Sequence, residues 1–179
     1  MTRIATMKRE EMNAEQGRVF DAAEKAGQPT GGPYTAYIRT PKLMEMNQKL
    51  AATIREYGLT GRERQIAVLT VVRHWNAKFP WAAQVRASLQ AGVDQATIDA
   101  INARRPLPVT DAREKLAHQV ASELMADKAL SEATYKAAEK AFKVEELVAL
   151  VATVGQFSMV SCTANAFDVT PPPGAPTLA

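Results

Sequence analysis

The sequence has few of the residues that most often carry redox and metal chemistry. Its 179 residues include one cysteine, Cys162, and two histidines, His74 and His118. A single cysteine cannot form an internal disulfide or a two-cysteine redox pair, and two histidines exclude a multi-histidine metal site. We therefore expect no metal and no other cofactor. His118 lies among polar residues of a predicted helix and is interpreted as a packing or surface residue.

Targeting signals, clustered charge and long apolar runs are also missing. The first residues lack the apolar core of a secretory signal, which with the single cysteine predicts a cytoplasmic protein. The 22 lysines and arginines exceed the 19 acidic residues by three, and the longest basic cluster is Arg104-Arg105. This pattern is typical of a mixed solvated surface, so we expect no nucleic-acid partner. No run reaches the ~18 uninterrupted apolar residues of a membrane span, so we expect no membrane partner.

What the sequence does contain is a regular succession of helix signals. Asn13 with Gln16 and Thr60 with Glu63 form capping boxes, and Thr40-Pro41 places proline at a first helical position. No segment shows the alternating pattern of a strand, so we predict an all-α protein of about eight helices with no sheet. The predicted helices cover about residues 13–27, 41–58, 61–75, 80–92, 94–105, 110–127, 131–142 and 144–167. A single domain is predicted over residues 1–168, followed by a proline-rich flexible tail at 169–179.

A resemblance to a known superfamily is carried by TGRERQIAVL at 60–69, NAKFPWAAQVR at 76–86 and AGV at 91–93. Together with GGP at 31–33, RTP at 39–41 and EELVALV at 145–151, these segments resemble the carboxymuconolactone decarboxylase and AhpD-like alkylhydroperoxidase superfamily over about residues 10–168. The resemblance implies an AhpD-like helical fold, a pocket between helices, and a homotrimer or homohexamer. The helices at 61–75 and 144–167 are apolar on nearly every side, which also favours an oligomer.

The chemical positions of the family are altered in this sequence. The peroxidase branch uses a glutamate, two cysteines and a histidine, whose positions here hold Gln65, Ala77, Pro80 and Gln84. Because that chemistry needs a thiolate, the sequence argues against a thiol peroxidase of this type. The cysteine-free branch carries a Trp-Ala-Ala-His pattern, and here Trp81-Ala82-Ala83 is followed by Gln84. Glutamine keeps the size and hydrogen-bonding reach of the family residues, but it cannot gain or lose a proton near neutral pH.

We predict catalytic roles for Gln65, Gln84, His74 and Tyr37. Asn76 lies eleven positions after Gln65, or about 20° around a regular helix, whereas His74 is about 180° away. A regular helix therefore turns Asn76 towards the pocket, and His74 reaches it only if the helix unwinds near Trp75. The predicted substrate-binding residues are Trp81, Asn76, Ser88, Arg64, Arg73 and Tyr34. For each arginine, the alternative is an exposed salt-bridging residue.

Two functions of different classes follow from these residues. The first is a carboxymuconolactone decarboxylase-like enzyme, a cysteine-independent lyase that acts on a small cyclic carboxylated or lactone metabolite. Its reaction would be decarboxylation, ring opening or isomerisation, with the amides of Gln65 and Gln84 stabilising an enolate or oxyanion. The second is a non-catalytic oligomer that binds a small ligand or is structural, and has lost the acid-base pair. A polar cavity of substrate size favours the enzyme, and a cavity filled by aliphatic side chains favours the alternative.

Overall fold

A computed structural model describes residues 2–179, which form nine α-helices, a short 3₁₀ turn at Arg9–Glu11 and no strand. The helices are α1 (Ala14–Lys25), α2 (Tyr34–Tyr37), α3 (Pro41–Ile54), α4 (Gly61–His74), α5 (Lys78–Gln90), α6 (Gln95–Asn102), α7 (Ala112–Ala126), α8 (Glu132–Ala141) and α9 (Val144–Ala166). The prediction of an all-helical chain without a sheet is confirmed. The added helix is α2, a single turn that directly follows Pro33, whose φ of −58° is already helical.

The ends of the helices follow local chemistry. Both predicted capping boxes are present: the Asn13 side chain accepts from the Gln16 N–H, and Thr60 does the same for Glu63. Helix α5 begins at Lys78, two residues before the predicted start at Pro80. Proline is tolerated there because the N–H groups of a first helical turn have no partner within the helix.

Helix α4 lies at the centre of the fold, where it contacts α5, α6, α7 and α9. Its apolar residues at 66–69 and 71–72 are at most 1% exposed, as expected for a helix enclosed on all sides. A helix in this position can carry polar groups only where they are paired or where they face a cavity. Glu63 and Gln65 on α4 illustrate these two cases.

Glu63 anchors α4 through a buried ion network. Its carboxylate accepts from Nε of Arg113 on α7 at 2.6 Å, and Arg113 also bonds to the carboxylate of Glu146 on α9 at 3.2 Å. The Arg113 guanidinium lies 4.4 Å from the centre of the Phe142 ring. The side chain of Glu63 is 4% exposed, so its carboxylate needs Arg113 as a partner in place of water. The network therefore joins α4, α7 and α9.

The last segment of the chain packs against the domain. Trp81 Nε1 and Asn102 Nδ2 both donate to the carbonyl oxygen of Thr177 at 3.1 Å, and Leu178 packs on the core that contains Ile66. Residues 169–179, predicted as a flexible tail, therefore contact the core through Thr177 and Leu178. A buried indole N–H needs an acceptor, and the main chain of this segment supplies it.

Within residues 2–179, α9 is the one helix that is long and apolar enough to cross a membrane by length and composition, with a mean hydropathy of 1.7. Half of its apolar window is buried inside the fold. Core helices commonly pass the same test, so this is weak evidence for a membrane span.

Candidate functional site

Two adjoining cavities lie between α3, α4, α5 and α9. One of about 40 Å³ is lined by residues that include Gln65, Gln84 and Gln156, and the other, of about 120 Å³, includes Tyr34. Both share Arg55, Gln84 and Gln156, so we treat them as one site and call it the glutamine cavity. Its size is below the about 300–1,000 Å³ of drug-sized ligand pockets, which restricts it to a small molecule.

The amide of Gln65 is the most unusual group in the glutamine cavity. The residue is 8% exposed, and its Oε1 is buried with no hydrogen-bond partner among residues 2–179. A buried acceptor without a donor costs about 1–3 kcal/mol. A molecule that donates a hydrogen bond to this oxygen inside the cavity would recover that free energy.

A second amide in the cavity belongs to a hydrogen-bonded chain. Nε2 of Gln156 donates to Oδ1 of Asn47 at 3.3 Å, and Nδ2 of Asn47 donates to the Tyr34 hydroxyl oxygen at 3.4 Å. Because the Tyr34 oxygen accepts here, its own proton remains free to be donated. Burial, with a smaller contribution from neighbouring Tyr37, raises the pKa of Tyr34, so the phenol is protonated at neutral pH.

Two arginines give the cavity a positive charge. Arg64, in the first turn of α4, is half-buried, and Arg55 lies at the end of α3. Neither forms an ion pair in the described part of the chain. Burial, and then the nearby charge of Arg55, lower the pKa of Arg64, yet a guanidinium stays protonated at neutral pH. The pair therefore favours an anionic group in the cavity.

Comparisons with known proteins bear on the fold. No protein-family model matches the sequence, and no curated protein matches it at a significant level. Among similar solved structures is an uncharacterised peroxidase-related protein from Ralstonia eutropha JMP134, described as an alkylhydroperoxidase AhpD core. It has a TM-score of 0.78 and 16% identity, covering 96% of this chain and 93% of that chain. An uncharacterised peroxidase-related protein from Silicibacter sp. TM1040 has a TM-score of 0.77 and 18% identity. The match covers 97% of this chain and 93% of that chain.

This chain has the AhpD-like fold. At identities of 16% and 18% the likeness establishes the architecture, whereas the chemistry has to be argued from the residues of the site. The fold expected from the sequence resemblance is thereby confirmed.

Four of the predicted site residues surround the glutamine cavity of this AhpD-like domain. Gln65, Gln84 and Arg64 line its smaller part, and Tyr34 lines its larger part. Their roles in binding or catalysis stay predictions.

Three predicted residues at the end of α4 lie elsewhere. His74 and Arg73 line a separate groove. The prediction that Asn76 faces the pocket is wrong, because α4 ends at His74 and Asn76 adopts a left-handed backbone with φ of 47°. Its side-chain oxygen accepts from the Arg73 guanidinium instead.

The remaining three predicted residues are buried without lining the glutamine cavity. The Tyr37 hydroxyl is 2.8 Å from Oγ1 of Thr163, and burial raises the pKa of Tyr37. Trp81 is 1% exposed and belongs to the core, and it does not line the glutamine cavity. Ser88 is fully enclosed, and its Oγ has no hydrogen-bond partner within residues 2–179.

Sequence reasoning missed Arg55, Asn47 and Gln156. Gln156 could have been recognised, because it interrupts the apolar residues of α9. A polar side chain on a buried helix needs a partner or a cavity to face. Arg55 and Asn47 are ordinary residues of an amphipathic helix, and only the packing of α3 on α9 brings them to the site.

The site offers no evident place for a metal. Among the residues that the structure describes, no three histidine, cysteine, aspartate or glutamate side chains converge into a group that could hold a metal ion. Cys162 is exposed on α9.

Proposed function

We propose that this protein is an enzyme that acts on a small cyclic carboxylated or lactone metabolite, by decarboxylation, ring opening or isomerisation. One observation supports the proposal above all: the buried amide oxygen of Gln65 lacks a hydrogen-bond partner beside two arginines that form no ion pair in the described chain. A cyclic ligand with a carboxylate for the two arginines and a hydrogen-bond donor, such as a hydroxyl group, for Oε1 of Gln65 complements both features.

The proposed roles follow from the chemistry of the side chains. Arg55 and Arg64 bind the carboxylate of the ligand by charge-assisted hydrogen bonds. Loss of carbon dioxide leaves its bonding electrons as an enolate, and attack of water on the lactone carbonyl gives an oxyanion that collapses as the ring oxygen departs with the proton of the water. In either case the amide N–H groups of Gln84 and Gln65 stabilise the negatively charged oxygen. Tyr34, which is protonated and whose hydroxyl accepts from Asn47, is the proton donor. The single cysteine of the chain has no part in this scheme.

The alternative is a protein that binds such a ligand without transforming it. It is supported by the identity of Gln65 and Gln84, since neither amide exchanges protons near neutral pH. The polar part of the lining of the glutamine cavity favours the enzyme, because three amides and two guanidinium groups face it among apolar residues that include Phe79 and Phe157. A site that had lost its ligand would gain stability by replacing those polar groups with apolar ones.

The proposal is tested by incubating the purified protein with 4-carboxymuconolactone and with lactones that lack the carboxylate. Absorbance and mass spectrometry follow substrate loss and carbon dioxide release, and a thermal-shift assay follows binding in the same samples. We expect turnover of the carboxylated lactone and much slower turnover of its uncharged analogue. Stabilisation without turnover would favour the binding alternative, and neither effect with any compound would contradict both.

We also propose that the protein assembles as a homotrimer or homohexamer through an apolar face of α3 and α9. On α9, Val144, Val148 and Val151 are 71%, 62% and 42% exposed and recur at helical spacing. On α3, Leu50 is 47% exposed and lies beside them across a groove of about 370 Å³. Monomeric proteins rarely expose a contiguous apolar patch larger than a few hundred Å².

Replacing Val148 with aspartate should convert the oligomer to a single chain, because a charge at the centre of a buried interface has no partner there. Analytical ultracentrifugation measures the mass of both proteins. The matched control is Leu89→Asp, on an exposed part of α5 outside this face, which should leave the mass unchanged. A wild-type protein that sediments as one chain would contradict the assembly.

A further inference from the structure

A second cavity of this protein contains both of its histidines. It is a groove of about 490 Å³ whose polar lining includes Thr70, Arg73, His74, Arg104, Arg105 and His118, and we call it the histidine groove. It shares no lining residue with the glutamine cavity. The groove lies between the C-terminal parts of α4 and α6 and one face of α7.

The groove carries more positive charge than is needed to offset the partial negative charges of the helix C-termini beside it. Each helix C-terminus bears about −0.5 of a charge, which cations usually offset. Arg73 already does so for α6, since its Nε donates to the Asn102 carbonyl oxygen at 2.7 Å, and Lys128 does so for α7 by donating to Met125 and Ala126. Arg104 and Arg105 are additional charges, and no aspartate or glutamate lines the groove.

Arg104 and Arg105 have no structural partner. Neither side chain makes a hydrogen bond or an ion pair that the structure shows within residues 2–179, although both line the groove. Arg104 also has a left-handed backbone, with φ of 53°, at a position after a helix where glycine is usual. Two unpaired guanidinium groups on one wall are suited to a carboxylate or a phosphate.

The hydrogen bonds of His118 fix which of its ring nitrogens can accept. The Thr70 hydroxyl oxygen lies 2.8 Å from both the Ile66 carbonyl oxygen and His118 Nδ1, and both contacts are hydrogen bonds only if Thr70 donates to the carbonyl and Nδ1 donates to Thr70. His118 Nδ1 therefore carries the proton, and Nε2 keeps a lone pair. Burial lowers the pKa of His118, which keeps the ring neutral at neutral pH. The groove thus presents a neutral acceptor near a pair of cations.

We infer that the histidine groove is a second ligand site, which binds a small organic anion that also carries a hydroxyl group. Its carboxylate or phosphate pairs with Arg104 and Arg105, its hydroxyl donates to Nε2 of His118, and its apolar body lies against Ile101 and Met125. The site is separate from the proposed catalytic cavity and does not depend on the reaction assigned there.

The two histidines make the test direct, because long-range ¹H–¹⁵N NMR spectra of the imidazoles contain two sets of signals. Mandelate, which has a carboxylate, a hydroxyl and a phenyl ring, is the main probe. Phenylacetate lacks the hydroxyl, phenylethane-1,2-diol lacks the charge, and phenyl phosphate tests phosphate against carboxylate. We expect saturable shifts of the His118 and His74 signals with mandelate, weaker binding of phenylacetate and of phenyl phosphate, which both lack the hydroxyl group, and no binding of the diol.

The double variant Arg104→Ala/Arg105→Ala should raise the Kd of the anion by ~10-fold or more, which is the loss expected for charge-assisted hydrogen bonds. The matched control is Arg55→Ala/Arg64→Ala, which removes two arginines from the glutamine cavity and should leave this Kd unchanged. Both pairs can be checked for folding by their thermal midpoints. The inference is overturned if no anion gives a saturable shift, if the Arg104 and Arg105 variant binds as tightly as the wild type, or if Nε2 carries the proton.

Discussion

Gln84→Leu should lower kcat on the carboxylated lactone by ~100-fold or more, which is the loss seen when one hydrogen-bond donor to a developing oxyanion is removed. Leucine keeps the approximate volume of glutamine but cannot donate a hydrogen bond. Because the donor acts mainly on charge that develops during the reaction, KM should change far less than kcat. Steady-state kinetics on the purified variant give both constants.

The matched control for this variant is Gln90→Leu, the same exchange at an exposed position of the same helix. It should have the kinetics of the wild type. A second variant, Gln65→Leu, removes the acceptor that has no partner, and it should also lower turnover while raising the stability of the unliganded protein. If both cavity variants keep wild-type turnover, the amides have no catalytic role and the proposed reaction loses its chemical basis.

Arg113→Ala should lower the free energy of unfolding by about 3 kcal/mol, since removing one partner of a buried ion pair leaves the other charge uncompensated. The residue left behind is Glu63, whose side chain is 4% exposed in the centre of the fold. Urea unfolding followed by circular dichroism measures the change. The control is Arg18→Ala, which breaks an exposed pair with Glu45 and should cost less than about 1 kcal/mol.

The pH dependence of the difference in unfolding free energy between wild type and Arg113→Ala gives a second test. The backbone N–H of Lys143, and then the guanidinium of Arg113, hold the pKa of Glu146 below its usual value. The stability that Arg113 supplies through Glu146 is therefore fully present above the usual carboxyl pKa and is lost as the pH falls through the lowered value. The gap between wild type and Arg113→Ala should narrow on acidification. A gap that stays constant to low pH would argue that Arg113 acts by packing on Phe142 alone.

The parts of the fold that were predictable from the sequence are those decided within a few residues of chain. Asn13 with Gln16 and Thr60 with Glu63 satisfy helix N–H groups locally, so their helices begin where the sequence indicates. The burial of α4 was also predictable, because a helix without a polar face has to be enclosed.

The errors concern residues whose environment depends on distant parts of the chain. Residues 169–179 have no periodic pattern, and their packing depends on acceptors needed by Trp81 and Asn102, which lie 75 and more positions away. The sequence predicts that Asn76 faces the pocket only if α4 stays helical to residue 76, whereas α4 ends two residues earlier, at His74. Arg55 and Gln156 come to the same cavity from different helices, and a pairing of that kind leaves no local trace in the sequence.

The ion network of Glu63, Arg113 and Glu146 joins the two helices that carry Gln65 and Gln156. Gln65 follows Glu63 by two residues on α4, and Gln156 follows Glu146 by ten on α9, so one guanidinium clamps both helices that present these amides. These ion pairs, which lie outside the cavity, hold the two amides in place before a ligand binds. Little conformational entropy of the protein is then lost on binding. Removing these ion pairs should weaken ligand affinity at temperatures where the protein is still folded.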